Sequence, residues 1–193
     1  MSHHILVFYG SYRQARVGIR LARWLVAQLS ERGLTAELID AREVGLPMLD
    51  KRYMDYPEGE APVAMEALAE KLRRADGFLF VAGEYNWGIQ PGLKNLTDHF
   101  LAEWAQRPAA IVSYSGGRLG GARSNSMWHA TLTEMGMAVV PATITVAQID
   151  RALDADDQPQ GEGGAALVRG FPRFADELLW WIEAAKAQRA RQE

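Results

Sequence analysis

The run Gly10-Ser11-Tyr12-Arg13-Gln14-Ala15-Arg16-Val17-Gly18 gathers a serine hydroxyl and two guanidinium groups between two glycines. Where such a run joins a strand to a helix, the unpaired N–H groups and partial positive charge of the helix start complete a seat for a phosphate. The bland alternative is a serine cap with two solvated arginines, and these residues alone leave both readings open. The run is neither the G-x-x-x-x-G-K-[ST] phosphate loop nor the G-x-G-x-x-G dinucleotide fingerprint, which disfavours ATP and a Rossmann-bound nicotinamide cofactor. A second run, Gly83-Glu84-Tyr85-Asn86-Trp87-Gly88-Ile89-Gln90-Pro91-Gly92-Leu93-Lys94-Asn95, sets aromatic rings and amides beside glycines that let backbone approach a ligand. A flat aromatic ligand fits there; a Pro/Gly turn with Tyr85 and Trp87 packed inside is the competing reading. A third, Ser113-Tyr114-Ser115-Gly116-Gly117-Arg118-Leu119-Gly120-Gly121, is thin enough to line a flat ring with N–H donors. Ser115 as a hydrolase nucleophile is disfavoured, because G-x-S-x-G fails and His129 follows too closely. The formal G-x-G-x-x-A at residues 161–166 follows a polar loop instead of a strand and reads as chance.

Composition narrows the chemistry further. The chain contains no Cys, which excludes thiolate-bound zinc, iron-sulfur clusters, thiol nucleophiles and disulfides, so any redox chemistry has to come from a bound organic cofactor. A net charge of -3 argues against nucleic-acid binding. No apolar stretch approaches the roughly 20 residues that span a bilayer, and the apolar run at residues 5–9 has neither basic leader nor cleavage site. No membrane partner and a cytoplasmic location are therefore expected. The adjacent His3 and His4 lack further ligand spacing and read as a solvated strand entry, not a metal site.

These loops must be positioned by regular elements, and the hydrophobic pattern supplies them. With 193 residues, 48% of them hydrophobic, the chain suits one domain over residues 1–193. Continuous apolar runs at 5–9, 36–39, 78–82, 110–113 and 139–146 suit buried parallel strands. Helical spacing links Ile19, Ala22, Leu25, Val26 and Leu29, and again Met65, Leu68 and Leu72. A third helix is expected to carry Leu93, Leu96, Phe100, Leu101 and Trp104; a fourth Trp128, Leu132 and Met135; a fifth Phe174, Leu178, Trp181, Ile182 and Ala185. Strand and helix alternate five times, which predicts an α/β fold with helices on both faces of a parallel sheet. Ligands of such sheets sit beyond the carboxyl ends of the strands, where the three runs fall. Residues 44–62 and 154–164 read as surface loops, and the polar tail 186–193 as frayed.

Taken in order, Gly10-Ser11-x-Arg13-x-x-Arg16, then Glu84-Tyr85-Asn86 with Pro91-Gly92-x-Lys94-Asn95-x-x-Asp98, then Ser115-Gly116-Gly117 resemble the NADPH-dependent FMN reductase family of flavodoxin-like proteins. The resemblance covers nearly the whole chain, including Leu46-Pro47-Met48-Leu49 and Trp180-Trp181. It implies a three-layer, flavodoxin-like fold with a five-stranded parallel sheet of order 2-1-3-4-5. It also implies that Ser11, Arg13 and Arg16, with the N–H groups near Val17 and Gly18, hold the phosphate of FMN. By the same resemblance Gly83, Glu84, Tyr85, Asn86 and Trp87 contact the edge of the isoalloxazine ring, and Ser115, Gly116 and Gly117 its other side. The implied activity passes reducing equivalents from NADPH or NADH to a quinone, a flavin or another small acceptor. The chemistry is the cofactor's, and no side chain is named as catalytic. A flavodoxin-type electron carrier and a flavin-binding redox regulator are the alternatives; the small net charge gives little steering toward a redox partner, and Lys94 and Arg118 are candidates for a nucleotide phosphate.

The chain departs from the family pattern at three places: Gly83 stands where Pro is frequent, Gln90 precedes Pro91-Gly92, and Arg16 stands where many members have Ser. A homodimer or homotetramer is expected, because the third helix carries an apolar surplus and Trp87, His99 and the Trp180-Trp181 pair add large side chains.

Overall fold

A computed structural model describes residues 2–191. Its strands in chain order are β1 (His4–Tyr9), β2 (Thr35–Asp40), β3 (Gly77–Tyr85), the two-residue β4 (Gly88–Ile89), β5 (Pro108–Tyr114) and β6 (Ala138–Val146). Five of them run parallel in the order β2-β1-β3-β5-β6, which is the 2-1-3-4-5 order once parallel strands alone are counted. The sixth, β4, folds back antiparallel on the end of β3, pairing Glu84 with Ile89 and Tyr85 with Gly88.

The helices are α1 (Gly18–Glu31), the single turn α2 (Ala41–Val44), α3 (Val63–Arg74), α4 (Pro91–Asp98), α5 (Ala122–Glu134), the single turn α6 (Ile149–Ala152) and α7 (Gly161–Arg189). Alternate strand residues serve opposite faces, as the pleat requires. Ile5, Val7, Tyr9, Leu79 and Val81 pack with α1 and α7, whereas Leu6, Phe8, Phe78 and Phe80 pack with α3, α4 and α5. Both faces being covered explains why β1 and β3 read as unbroken apolar runs.

Three expectations need correction. The third helix stops at Asp98 instead of continuing to Trp104, and a short 3-10 turn follows at Ala102–Trp104. There the indole N–H of Trp104 donates to the carbonyls of Thr97 and Phe100, satisfying groups that a longer helix would have used itself. The loop expected at 154–164 ends early, since α7 starts at Gly161 and the G-x-G-x-x-A string is its first turn. The tail is helical through Arg189, with residues 192 and 193 outside the described residues.

Most of the apolar surplus expected of the third helix is absorbed by the chain's own core, but Leu101 stays exposed. Leu93, Leu96, Phe100 and Trp104 are buried, and so is His99. Of the side chains that pointed to a partner subunit, Trp87 and Trp180 stay exposed at 67% and 61%.

Candidate flavin site at the carboxyl edge of the sheet

The segments that leave β1, β3, β5 and β6 converge on one cleft of about 350 Å³. That volume lies within the roughly 300–1,000 Å³ usual for small-molecule sites. Where the first loop enters α1, Ser11 is buried, its Oγ 3.1 Å from the Tyr85 hydroxyl and accepting the Arg13 N–H at 3.4 Å. This contact ties the first loop to the second. Among the described residues, the N–H groups of residues 14–18 find no acceptor, and Val17, at the N-cap of α1, brings no side-chain cap and no acidic residue follows in the first turn. The helix start therefore keeps its free donors and its positive end for a ligand.

The two arginines separate. The Arg13 guanidinium is exposed and makes no ion pair among the described residues. Arg16 lines the same cleft, but its Nη1 lies 2.6 Å from Asp40 and its Nη2 3.3 Å from Glu43. The charge of Arg16 is thus already met by carboxylates, which leaves Arg13 as the uncommitted cation of the first loop.

At the end of β3, the β3–β4 hairpin turns through Asn86 and Trp87, both left-handed with φ of 47° and 72°. Two consecutive positive φ values suit the tight right-twisting turn of a two-residue hairpin, yet a tryptophan in that region is strained. Arg123, on α5, holds it. The Arg123 guanidinium carbon sits 3.8 Å from the Trp87 ring centre, while Glu84 accepts both the Arg123 backbone N–H at 3.1 Å and its guanidinium at 3.2 Å. The third loop is pinned to the strand end beside it: Ser115 N–H donates to Val146, Gln148 N–H to Gly117, and Ile149 N–H to Ser115. Among the described residues the N–H groups of Asn86, Trp87, Gly116 and Gly117 have no acceptor.

Of the residues singled out in the sequence, Ser11, Arg13, Arg16, Val17 and Gly18 line the cleft, as do Gly83, Glu84, Tyr85, Ser115 and Gly116. Asn86, Trp87 and Gly117 lie just beyond it in the same loops. The cleft adds Tyr9, Tyr114, Ile149 and Asp150. All four stand at or after the carboxyl end of a parallel strand, so the rule that located the first three loops reaches them once the fifth parallel strand is included. Arg123 had no such signal, because its role depends on where α5 lies against the hairpin. Burial raises the Tyr9 and Tyr114 hydroxyls above their ordinary value, with Tyr114 raised the further, so both stay protonated. Beyond Arg13 and Tyr85 lies a second, apolar cleft of about 470 Å³, walled by Tyr12, Leu46, Met48 and Pro91. Lys94 is paired with Asp98, whereas Arg118 makes no ion pair among the described residues.

A model of the NADPH-dependent FMN reductase family matches residues 3–150. The chain is 41% identical over 120 residues to a probable NADPH:quinone oxidoreductase of Oryza sativa subsp. japonica, the match covering 60% of this chain and 59% of that protein. It is 32% identical over 151 residues to the NAD(P)H-dependent FMN reductase ntnL of Nectria sp, covering 72% of this chain and 73% of the relative. In fold it is similar to FerB of Paracoccus denitrificans, a flavoenzyme NAD(P)H:(acceptor) oxidoreductase, with a TM-score of 0.74, 23% identity, and coverage of 95% of this chain and 98% of that one. The chain belongs to the NADPH-dependent FMN reductase family.

Proposed function

We propose that the chain is an FMN-dependent oxidoreductase that passes reducing equivalents from NADPH or NADH to a quinone, a flavin or another small acceptor. The observation that carries this reading is the set of N–H donors without acceptors among the described residues on three loops around one cleft, with the unpaired Arg13 guanidinium lining it. Such a donor set fits a ligand that is anionic at one end and a flat, acceptor-rich ring at the other, as FMN is. The relatives' names support the same reading.

Ser11, Arg13 and the N–H groups of Val17 and Gly18 would hold the phosphate, with Arg16 shaping the loop through Asp40 and Glu43. Gly83, Glu84, Tyr85, Asn86 and Trp87 would border one edge of the ring, and Ser115, Gly116 and Gly117 the other. When bound, FMN supplies the acceptance of two electrons from a reduced nicotinamide and their release to a second substrate. The protein's part is to place N–H donors where negative charge gathers on the reduced ring. Glu84 is engaged by Arg123. The neighbouring apolar cleft suits a quinone ring, and the exposed Tyr12 and Met48 lining it, with the exposed Trp87 of the β3–β4 hairpin, fit a second subunit completing a homodimer or homotetramer. No helix is long and apolar enough to cross a membrane among the described residues, in keeping with a cytoplasmic enzyme.

Titration with FMN and riboflavin, followed by NADPH or NADH oxidation with a small quinone, tests the reading. Tight FMN binding with steady turnover is the expected result. Equal affinity for riboflavin would sink the phosphate assignment, and flavin binding without turnover would favour the electron carrier.

A further inference from the structure

Gln90 is buried, 1% exposed, at the N-cap of α4. A side chain at that place ordinarily serves the helix's own first N–H groups, and this one makes no such bond. Its amide turns instead to two residues that line the cleft: Oε1 accepts the Gly83 N–H at 3.1 Å and Nε2 donates to the Tyr114 hydroxyl at 2.9 Å. A buried amide is tolerated because both of its ends are bonded. Gly83 makes the room: a Cβ there would lie 2.4 Å from Gln90 Nε2 and 2.9 Å from Tyr114 Cζ. The other polar group of Gly83, its carbonyl, accepts the Ser124 hydroxyl at 3.1 Å. Tyr114 in turn abuts the start of α1, since a Cβ on Gly18 would fall 2.2 Å from Tyr114 Cζ. Two departures from the family pattern, Gly83 and Gln90, are therefore each other's partners.

We propose that Gln90 is a positioning residue that, through Tyr114, fixes the distance between the ring-side loop at Gly83 and the phosphate-side helix start at Gly18, and so makes the site selective for a flavin bearing both a ring and a phosphate. A ligand held at both ends gains from its second contact only when the two seats keep the spacing its linker spans. Loosening that spacing costs the two-ended ligand more than the ring alone. The inference rests on the FMN reading of this cleft.

The test compares FMN and riboflavin affinities, read by flavin fluorescence, for the unsubstituted protein, Gln90→Met, Tyr114→Phe and the double variant. Each single variant is expected to lower the preference for FMN over riboflavin about tenfold, with the double variant within about twofold of either single. Equal weakening of both flavins by Gln90→Met would show a merely structural plug and overturn the proposal, as would an unchanged ratio or additive single effects. Should Gln90→Met not fold, Tyr114→Phe is judged by the same ratio, an unchanged value again overturning the proposal. An unsubstituted protein with no preference for FMN fails at the first step, which refutes the FMN reading itself and the inference with it.

Discussion

The two ends of the parallel sheet treat their polar groups in opposite ways. At the amino end most polar groups are matched within the chain, the buried Nδ1 of His3 being an exception. Asp76, just before β3, accepts the His4 N–H at 3.0 Å and lies 2.8 Å from the Lys186 ammonium, which fastens the end of α7 to the sheet. Arg107, just before β5, donates to the carbonyls of Arg73, Ala75, Glu103 and Ala105. At the carboxyl end, the N–H groups of residues 14–18, 86–87 and 116–117 have no acceptor among the described residues, and a tryptophan is held left-handed. One fold thus keeps a satisfied end that resists opening and an unsatisfied end whose missing partners a ligand can supply. Substitutions at the amino end should therefore move stability and leave binding alone, and those at the carboxyl end should do the reverse.

The largest stability loss is expected from Arg107→Ala. Four carbonyls lose a charged donor at once, and at about 1 kcal/mol or somewhat more for each poorly replaced bond the cost comes to roughly 3 kcal/mol. Urea unfolding measures it. FMN affinity of the folded fraction should stay within about twofold, and a clear loss of affinity would break the division between the two ends.

Arg13→Ala is the mirror case. Removing the one uncommitted guanidinium of the first loop should weaken FMN by about 1.5 to 3 kcal/mol, with riboflavin affinity and urea midpoint little changed. A variant that holds FMN as tightly as the parent would transfer the phosphate to Arg16 or to backbone donors alone.

The same contrast shows what a sequence can disclose. The parallel sheet was legible because β1, β3 and β5 are buried on both faces, so their residues form apolar runs that no exposed strand tolerates. The loops that line the candidate cleft were legible because glycine, serine and arginine cluster after strands. The fate of Arg16 was not, since its carboxylate partner Asp40 ends β2 and meets it only through the pairing of β1 with β2. Neither were Arg123 and Gln90, whose roles arise where α5, β4 and β5 meet. The third helix misled because Phe100 and Trp104 keep helical spacing while the chain between them leaves the helix, Leu101 taking φ −136° and ψ −70°. Burial of the rings, not continuity of the helix, set that pattern.

The smallest effect, and the sharpest in sign, concerns pH. Burial by itself would raise the Asp76 carboxyl, but Lys186, the His4 N–H and His3 together hold it below its ordinary value. A carboxyl depressed in the folded state adds stability that is complete above its unfolded value of about 3.9 and is lost as pH falls through the lower folded value. Asp76→Asn keeps an oxygen for the His4 N–H but gives up the ion pair with Lys186. Because that ammonium is nearly half exposed, the loss should be only about 1 kcal/mol at neutral pH. Unfolding curves of parent and variant should then differ at about pH 5 and draw together below about pH 4. If the difference instead grew as pH fell below about 4, Asp76 would be the wrong source of the amino end's stability, and that end would owe it to Arg107.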